Sequence, residues 1–252
     1  MPPRYEVIGV EGIGEIRPGD DIARIVMEAA ERQRTPLATG DVVVLSQKIV
    51  SKSEGRLLRL PDITPSQMAT TFAAGLGRDP RLIEVILRES RRVVRMDRGV
   101  LVTETHHGWV CANAGVDESN GVDTGTLTLL PRDADASAAA FCERLRTRFG
   151  VELAVVVTDT FGRPWREGLV EVALGCAGMD PLLDLRGRAD LAGRELHHTV
   201  VALADEIAAA AGLVMEKDSG VAAAVVRGVR YTPGQRGAAA AFVRKPEFDL
   251  FR

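Results

Sequence analysis

Two aspartates occupy similar settings in this chain. Asp117 and Asp159 each follow an apolar run and sit among small or amide residues, in Gly115-Val116-Asp117-Glu118-Ser119-Asn120-Gly121 and Thr158-Asp159-Thr160. Hard divalent cations take oxygen ligands, and Mg²⁺ commonly uses one or two carboxylates with water and substrate phosphates. Two aspartates therefore suffice if the fold brings them together. Taken singly, each could equally close a turn by accepting hydrogen bonds from nearby backbone N–H groups. Asn120 beside the first, and Arg163 and Arg166 beyond the second, add groups suited to phosphate or carboxylate. Lys48 and Lys52 follow an apolar run at 42–46, with Gly55 shortly beyond. They could neutralise nucleotide phosphates from a turn, or form a solvated cationic loop.

Other chemistries lack their residues. The phosphate loop G-x-x-x-x-G-K-[ST] is absent, and Gly9, Gly12 and Gly14 do not complete a dinucleotide fingerprint. His106-His107-Gly108 between two strand-like runs reads as a turn rather than a metal or acid–base site. No His/Cys spacing suits zinc. Ser46, Ser51 and Ser119 have no sequence-defined His and carboxylate relay. Trp109 and Trp165 read as packing anchors.

The elements that must position these residues alternate along the chain. Ile22, Ile25, Val26, Ala29 and Ala30 recur at helical spacing after Asp20-Asp21, either of which can cap the helix. Asp41 to Ser46 is short, β-branched and turn-bounded, as in a strand buried on both faces. Residues 65–76 and 80–94 read as helices separated by Gly75, Gly77 and Pro80, with arginines solvating the second. Residues 100–105 and 109–114 read as a hairpin. A helix at 134–149 precedes a strand at 151–157, and a helix at 200–214 precedes the loop 215–220 and a strand at 221–227. The alternation implies layered α and β structure.

Composition narrows the class. The 252 residues are 46% hydrophobic and only 4% aromatic, so a sizeable core can be built from small aliphatic side chains. A formal charge of −3 gives no broad attraction for nucleic acid, which is not expected as a partner. Cys111, Cys142 and Cys176 are odd in number and far apart, as reduced thiols of a cytoplasmic protein would be. The opening residues lack the apolar stretch of a signal peptide. Residues 200–215, the most apolar long segment, are too short for the roughly 20 residues of a membrane span, so no membrane association is expected.

Several ordered stretches resemble the coenzyme F420-0:L-glutamate ligase family across nearly the whole chain. They are Glu11-Gly12-Ile13-Gly14-Glu15-Ile16-Arg17-Pro18-Gly19-Asp20-Asp21, Val50-Ser51-Lys52-Ser53-Glu54-Gly55-Arg56, Asn113-Ala114-Gly115-Val116-Asp117-Glu118-Ser119-Asn120 and Thr158-Asp159-Thr160-Phe161-Gly162-Arg163-Pro164-Trp165-Arg166. Gly193-Arg194-Glu195-Leu196, Ala204-Asp205-Glu206-Ile207-Ala208-Ala209 and Val225-Val226-Arg227-Gly228 continue the match. The resemblance implies an α+β fold of two intimately packed mixed α/β lobes, a single ligase domain over 1–252, a homodimer, GTP, and Mg²⁺ or Mn²⁺, with K⁺ as an activator. It makes Asp117 and Asp159 ligands of one metal, with Thr160 and Glu216 helping to hold another. It assigns the nucleotide site to Ile13, Gly14, Glu15, Ile16, Gln47, Lys48, Lys52, Asn120 and the loop Met215, Glu216, Lys217, Asp218, Ser219, Gly220, Val221.

The implied reaction adds L-glutamate to F420-0, and then further γ-linked glutamate, through an acyl phosphate made at the expense of GTP. The acidic residues alone also fit a metal-dependent phosphatase or phosphotransferase. A nucleotide- or deazaflavin-binding protein without turnover is the third reading.

Overall fold

The computed structural model describes residues 4–118, 125–234 and 237–249. Its strands are β1 (Glu6–Gly9), β2 (Val42–Ser46), β3 (Leu57–Arg59), β4 (Ser90–Asp97), β5 (Val100–Thr105), β6 (Val110–Ala112), β7 (Thr126–Thr128), β8 (Ala154–Arg163), β9 (Arg166–Ala177), β10 (Leu183–Asp184), β11 (Val200–Val201) and β12 (Ala223–Arg227). The α-helices are α1 (Ile22–Arg32), α2 (Gln47–Ser53), α3 (Gln67–Leu76), α4 (Pro80–Arg88), α5 (Ala134–Phe149), α6 (Leu203–Gly212) and α7 (Ala238–Phe242). This is an α+β protein.

Five strands form the main sheet in the order β1-β12-β2-β8-β9, and only the β2–β8 pair is parallel. Its central strands are apolar on both faces because both faces are covered. Val43, Leu45, Val155, Val157 and Val225 pack with α1, α2 and α5, while Val42, Val44, Val156, Ala224 and Val226 pack with α6 and α7. Small residues allow close approach: a Cβ added at Gly175 of β9 would lie 2.3 Å from the carbonyl carbon of Ala134 on α5. Of the two candidate caps, Asp21 accepts from Arg24 N and starts α1. It also pairs with Arg144 and Arg148, fastening α1 to α5.

The segment between α2 and α5 carries its own apolar cluster, including Leu82, Ile83, Val85, Ile86, Leu101, Leu127 and Leu129. Two small sheets, β3–β7 and β4–β5–β6, belong to it. The second helix of this segment is shorter than its sequence implies. It stops at Arg88, and residues 90–94 instead begin β4, pairing from Ser90 opposite Thr105. The arginines do more than solvate: buried Glu104 on β5 accepts from Arg92 Nε at 2.7 Å and lies 3.6 Å from Arg91 Nη1. That buried carboxylate draws the arginine-rich run across as a strand.

Three further differences bear on function. The strand after α5 continues through Thr158, Asp159 and Thr160 as far as Arg163, so these residues lie within a hairpin rather than beyond a strand end. Its partner β9 has no counterpart among the expected elements, and neither does β1. Trp165, at the hairpin tip, is 81% exposed with φ +56°, so it is no packing anchor, whereas Trp109 packs against the core. His106 and His107 do form a turn, each with Nε2 against a backbone carbonyl, of Arg88 and Arg132 respectively. The three cysteines are free, and among the described residues no helix is long and apolar enough to cross a membrane.

Candidate active cleft

One end of the main sheet gathers four chain segments. β2 ends at Ser46, opposite Thr158 of its parallel neighbour β8, and α2 begins at once with Ser46 as its cap. β12 runs antiparallel to β2 and starts at Ala223 opposite Leu45, which brings the preceding loop 215–222 to the same end. β1, antiparallel to β12, delivers the loop beginning at Glu11 there too. Ligands of open α/β sheets bind outside the carboxyl ends of parallel strands, and this end has that character.

Asp117 reaches the site from the inserted segment. After the turn Asn113–Gly115, its N–H and carbonyl both bond with Thr128, forming a bridge to β7. Its carboxylate Oδ2 lies 2.7 Å from Lys48 Nζ on α2, so an ion pair joins the insert to the main sheet. Asp117 and Asp159 line one cleft of about 540 Å³, together with Thr160, Arg163, Lys217 and the apolar Val110, Phe161 and Leu169. The two strand-associated aspartates therefore share one cavity.

The electrostatics of that cavity are unbalanced. Burial pushes the Asp159 carboxyl up to about 7, the charges of Glu171 and Asp117 push the same way, and the Thr160 N–H and Lys217 oppose them. Glu171 belongs to β9, opposite Thr160, whose Oγ1 donates to Glu171 Oε1 at 2.5 Å; Thr158 Oγ1 lies 2.9 Å from Oε2. Carboxylates under mutual repulsion, with hydroxyl oxygens beside them, form the donor set a hard cation prefers. The residues thus fit Mg²⁺ or Mn²⁺. Among the described residues, however, no three His, Cys, Asp or Glu side chains close on one point. Substrate oxygens and water would have to complete a shell.

The remaining predicted residues separate by role. Ile13 and Ile16 are buried in the main core, leaving Gly14 and Glu15 exposed between them. Glu15 accepts from Lys52 Nζ at 2.6 Å, which ties that loop to α2. Gln47 is 1% exposed; its Oε1 accepts from Ser51 Oγ, but its Nε2 has no acceptor among the described residues. An orphaned amide beside Lys48 fits a ligand oxygen at this end. In the loop, Met215 and Val221 are half-buried and residues 216–220 are exposed, turned by bonds from Ser219 to the Glu216 carbonyl. Lys217, not Glu216, lines the cleft. Asn120 lies outside the described residues.

Glu171 and the counter-charge role of Lys217 are not evident in the sequence. The one legible signal is Gly212: a Cβ there would sit 2.8 Å from Glu171 Cγ, so α6 leaves a groove for the glutamate stem. Asp205 of α6 secures the neighbouring bulge by accepting from Ala173 N at 2.9 Å.

Residues 12–228 match the model of the F420-0:Gamma-glutamyl ligase family. The chain is 47% identical over 248 residues to the coenzyme F420:L-glutamate ligase of Methanothermobacter thermautotrophicus, covering 98% of each chain. It is 47% identical over 243 residues to that of Methanopyrus kandleri, covering 94% of each. Against that of Archaeoglobus fulgidus identity is 40% over 250 residues, covering 99% of this chain and 97% of the relative. With the family pattern spanning both the insert that carries Asp117 and the hairpin that carries Asp159, this chain belongs to the F420-0:Gamma-glutamyl ligase family.

Proposed function

We propose that this chain attaches L-glutamate to the coenzyme precursor F420-0, and then adds further γ-linked glutamate, at the expense of GTP. The observation that carries the reading is the meeting of Asp117 and Asp159, from separate parts of the chain, in one cleft beside Lys48 and Lys217. Amide formation from two free ions is uphill in water, so the acceptor carboxylate must first gain a leaving group. In the proposed sequence that carboxylate attacks the γ-phosphorus of GTP and GDP leaves. The α-amine of glutamate then attacks the acyl carbon, and phosphate departs with one former carboxylate oxygen.

Mg²⁺ or Mn²⁺ held by Asp117, Asp159 and Thr160 would neutralise phosphate oxygens during transfer. The side chains perform the rest. Lys48 stands ready to exchange its bond to Asp117 for one to phosphate. Lys52 and Glu15 fix the loop around Gly14 against α2, and Gln47 offers its free amide N–H. Lys217 balances charge across the cleft from Asp159. K⁺ activation, a homodimer and cytoplasmic residence complete the reading, and the relatives' names support its substrates.

The test uses acceptor labelled with ¹⁸O in the reacting carboxylate, incubated with GTP, Mn²⁺ and L-glutamate. The expected result is amide product, with one labelled oxygen in each inorganic phosphate. Amide with unlabelled phosphate would overturn the acyl phosphate, and phosphate release independent of glutamate would favour a phosphatase.

A further inference from the structure

Strand alternation places Asp159, Phe161 and Arg163 on one side of β8, and all three line the cleft. At about 3.3 Å per residue, Arg163 stands roughly 13 Å along the strand from Asp159. The wall thus runs from carboxylate, through an apolar ring, to a cation.

The hairpin is built to hold that cation in place. Gly162 pairs with Leu169 but Arg163 pairs with Arg166, so Glu167 and Gly168 bulge from β9. The bulge turns the Glu167 carbonyl to accept from Arg163 Nη2 at 3.0 Å. Trp165 and Gly168 take positive φ values of 56° and 83° to make the tip. Arg163 Nε is shut off from water and has no acceptor among the described residues. Nor does Arg163 form an ion pair among them, whereas Lys48 pairs with Asp117 and Lys52 with Glu15. A charged donor left without an acceptor is costly; with Nη2 already engaged by the Glu167 carbonyl, the guanidinium's remaining N–H groups are the ones left to meet a carboxylate or phosphate. Arg166 is exposed and does not line the cleft.

We infer that Arg163 is the receptor for an anionic group of a substrate whose opposite end reacts near Asp159, with Phe161 against the carbon chain between them. This rests on the ligase reading. Two substrates of that reading carry an anionic group beyond the one that reacts: L-glutamate with its carboxylates, and the acceptor with the phosphate of its phospholactate arm.

Steady-state kinetics of the wild type, Arg163→Gln and Arg163→Lys distinguish them, varying glutamate at saturating acceptor and acceptor at saturating glutamate. The expected result for Arg163→Gln is a KM raised roughly 10–100-fold for one of the two, the loss expected for a charge-assisted hydrogen-bond pair. The KM of the nucleotide should stay within twofold and Tm should hold, while Arg163→Lys recovers part of the loss. A rise for glutamate identifies its carboxylate; a rise for the acceptor identifies the phosphate of its phospholactate arm. Unchanged KM values for both, or a lowered kcat and Tm with KM intact, would overturn the assignment and leave Arg163 as a hairpin pin. Absence of amide from the wild type would instead defeat the ligase reading. Calorimetric titration of L-glutamate, and separately of acceptor, into wild type and Arg163→Gln would then still read the arginine, with equal affinities for both overturning its role.

Discussion

Replacing Asp159 with asparagine should make the metal-free protein more stable while disabling it. The side chain keeps its size but loses the charge that Glu171, Asp117 and burial oppose. Because the folded-state value of about 7 lies above the ordinary 3.8, the folded chain holds the proton more tightly than the unfolded chain. Below pH 3.8 the carboxyl is neutral in both states and costs nothing. The penalty grows as pH rises from 3.8 and is complete above about 7. At 1.36 kcal/mol per pH unit the full cost is about 4 kcal/mol, and relaxation at a cleft wall reduces the realised part to about 1–3 kcal/mol. For a chain of this length that is a gain of about 2–10 °C in Tm. Scanning calorimetry in EDTA should show Asp159→Asn melting above the wild type at pH 8, with the gap closing by pH 4. Amide formation should fall by more than the roughly 10–100-fold typical of losing a partner one layer outside a metal's ligands. An equal or lower Tm at pH 8, or a gap that does not change with pH, would refute the electrostatic argument.

Glu171→Gln keeps an acceptor for Thr160 while removing one of the charges acting on Asp159, so the Asp159 carboxyl should titrate lower than in the wild type. Carbonyl ¹³C NMR of the metal-free protein reads the midpoint, and an unmoved midpoint would contradict the expected coupling. Asp41 is 3% exposed by side chain and accepts from Arg227 Nε and Nη2 at 2.8 Å each and from Ala38 N. Asp41→Ala should cost about 3 kcal/mol in urea unfolding, and a loss under about 1 kcal/mol would show that solvent already compensates Arg227.

What could be read from sequence followed from burial and local chemistry. Val42 to Leu45 and Val155 to Val157 announce themselves because both faces are covered, and Asp21, one of the two caps the sequence offers, starts α1. Asp117 and Asp159 stand out because charged residues directly after apolar runs are few. β9 leaves no apolar run to read because its outer half, Arg166 to Leu169, mixes charged residues, glycine and a single leucine and is exposed at the hairpin tip. β4 resembled the end of a helix until Glu104, distant in sequence, supplied its arginines with a partner. Glu171, which acts on the cleft through Asp159, and the counter-charge of Lys217 arise from tertiary placement: the first depends on space left by Gly212, the second on how the loop 215–222 crosses the sheet end.

The pairing of β3 with β7 has a kinetic consequence for how the main sheet assembles. Val42 must find Ala154 to start the parallel β2–β8 pair, a long-range closure of the kind that slows folding. Leu57 meets Thr128 at the base of the insert, and Leu129 N donates to Arg56 O just outside that pair. Once this neck is zipped, the path from β2 to β8 shortens to α2, the neck and α5, and the remaining loop to be closed costs correspondingly less entropy. The insert's own apolar cluster can support the neck before the main sheet exists. The segment that supplies Asp117 therefore also acts as a splint for β2, which leads into the helix of Lys48, and for β8, which carries Asp159.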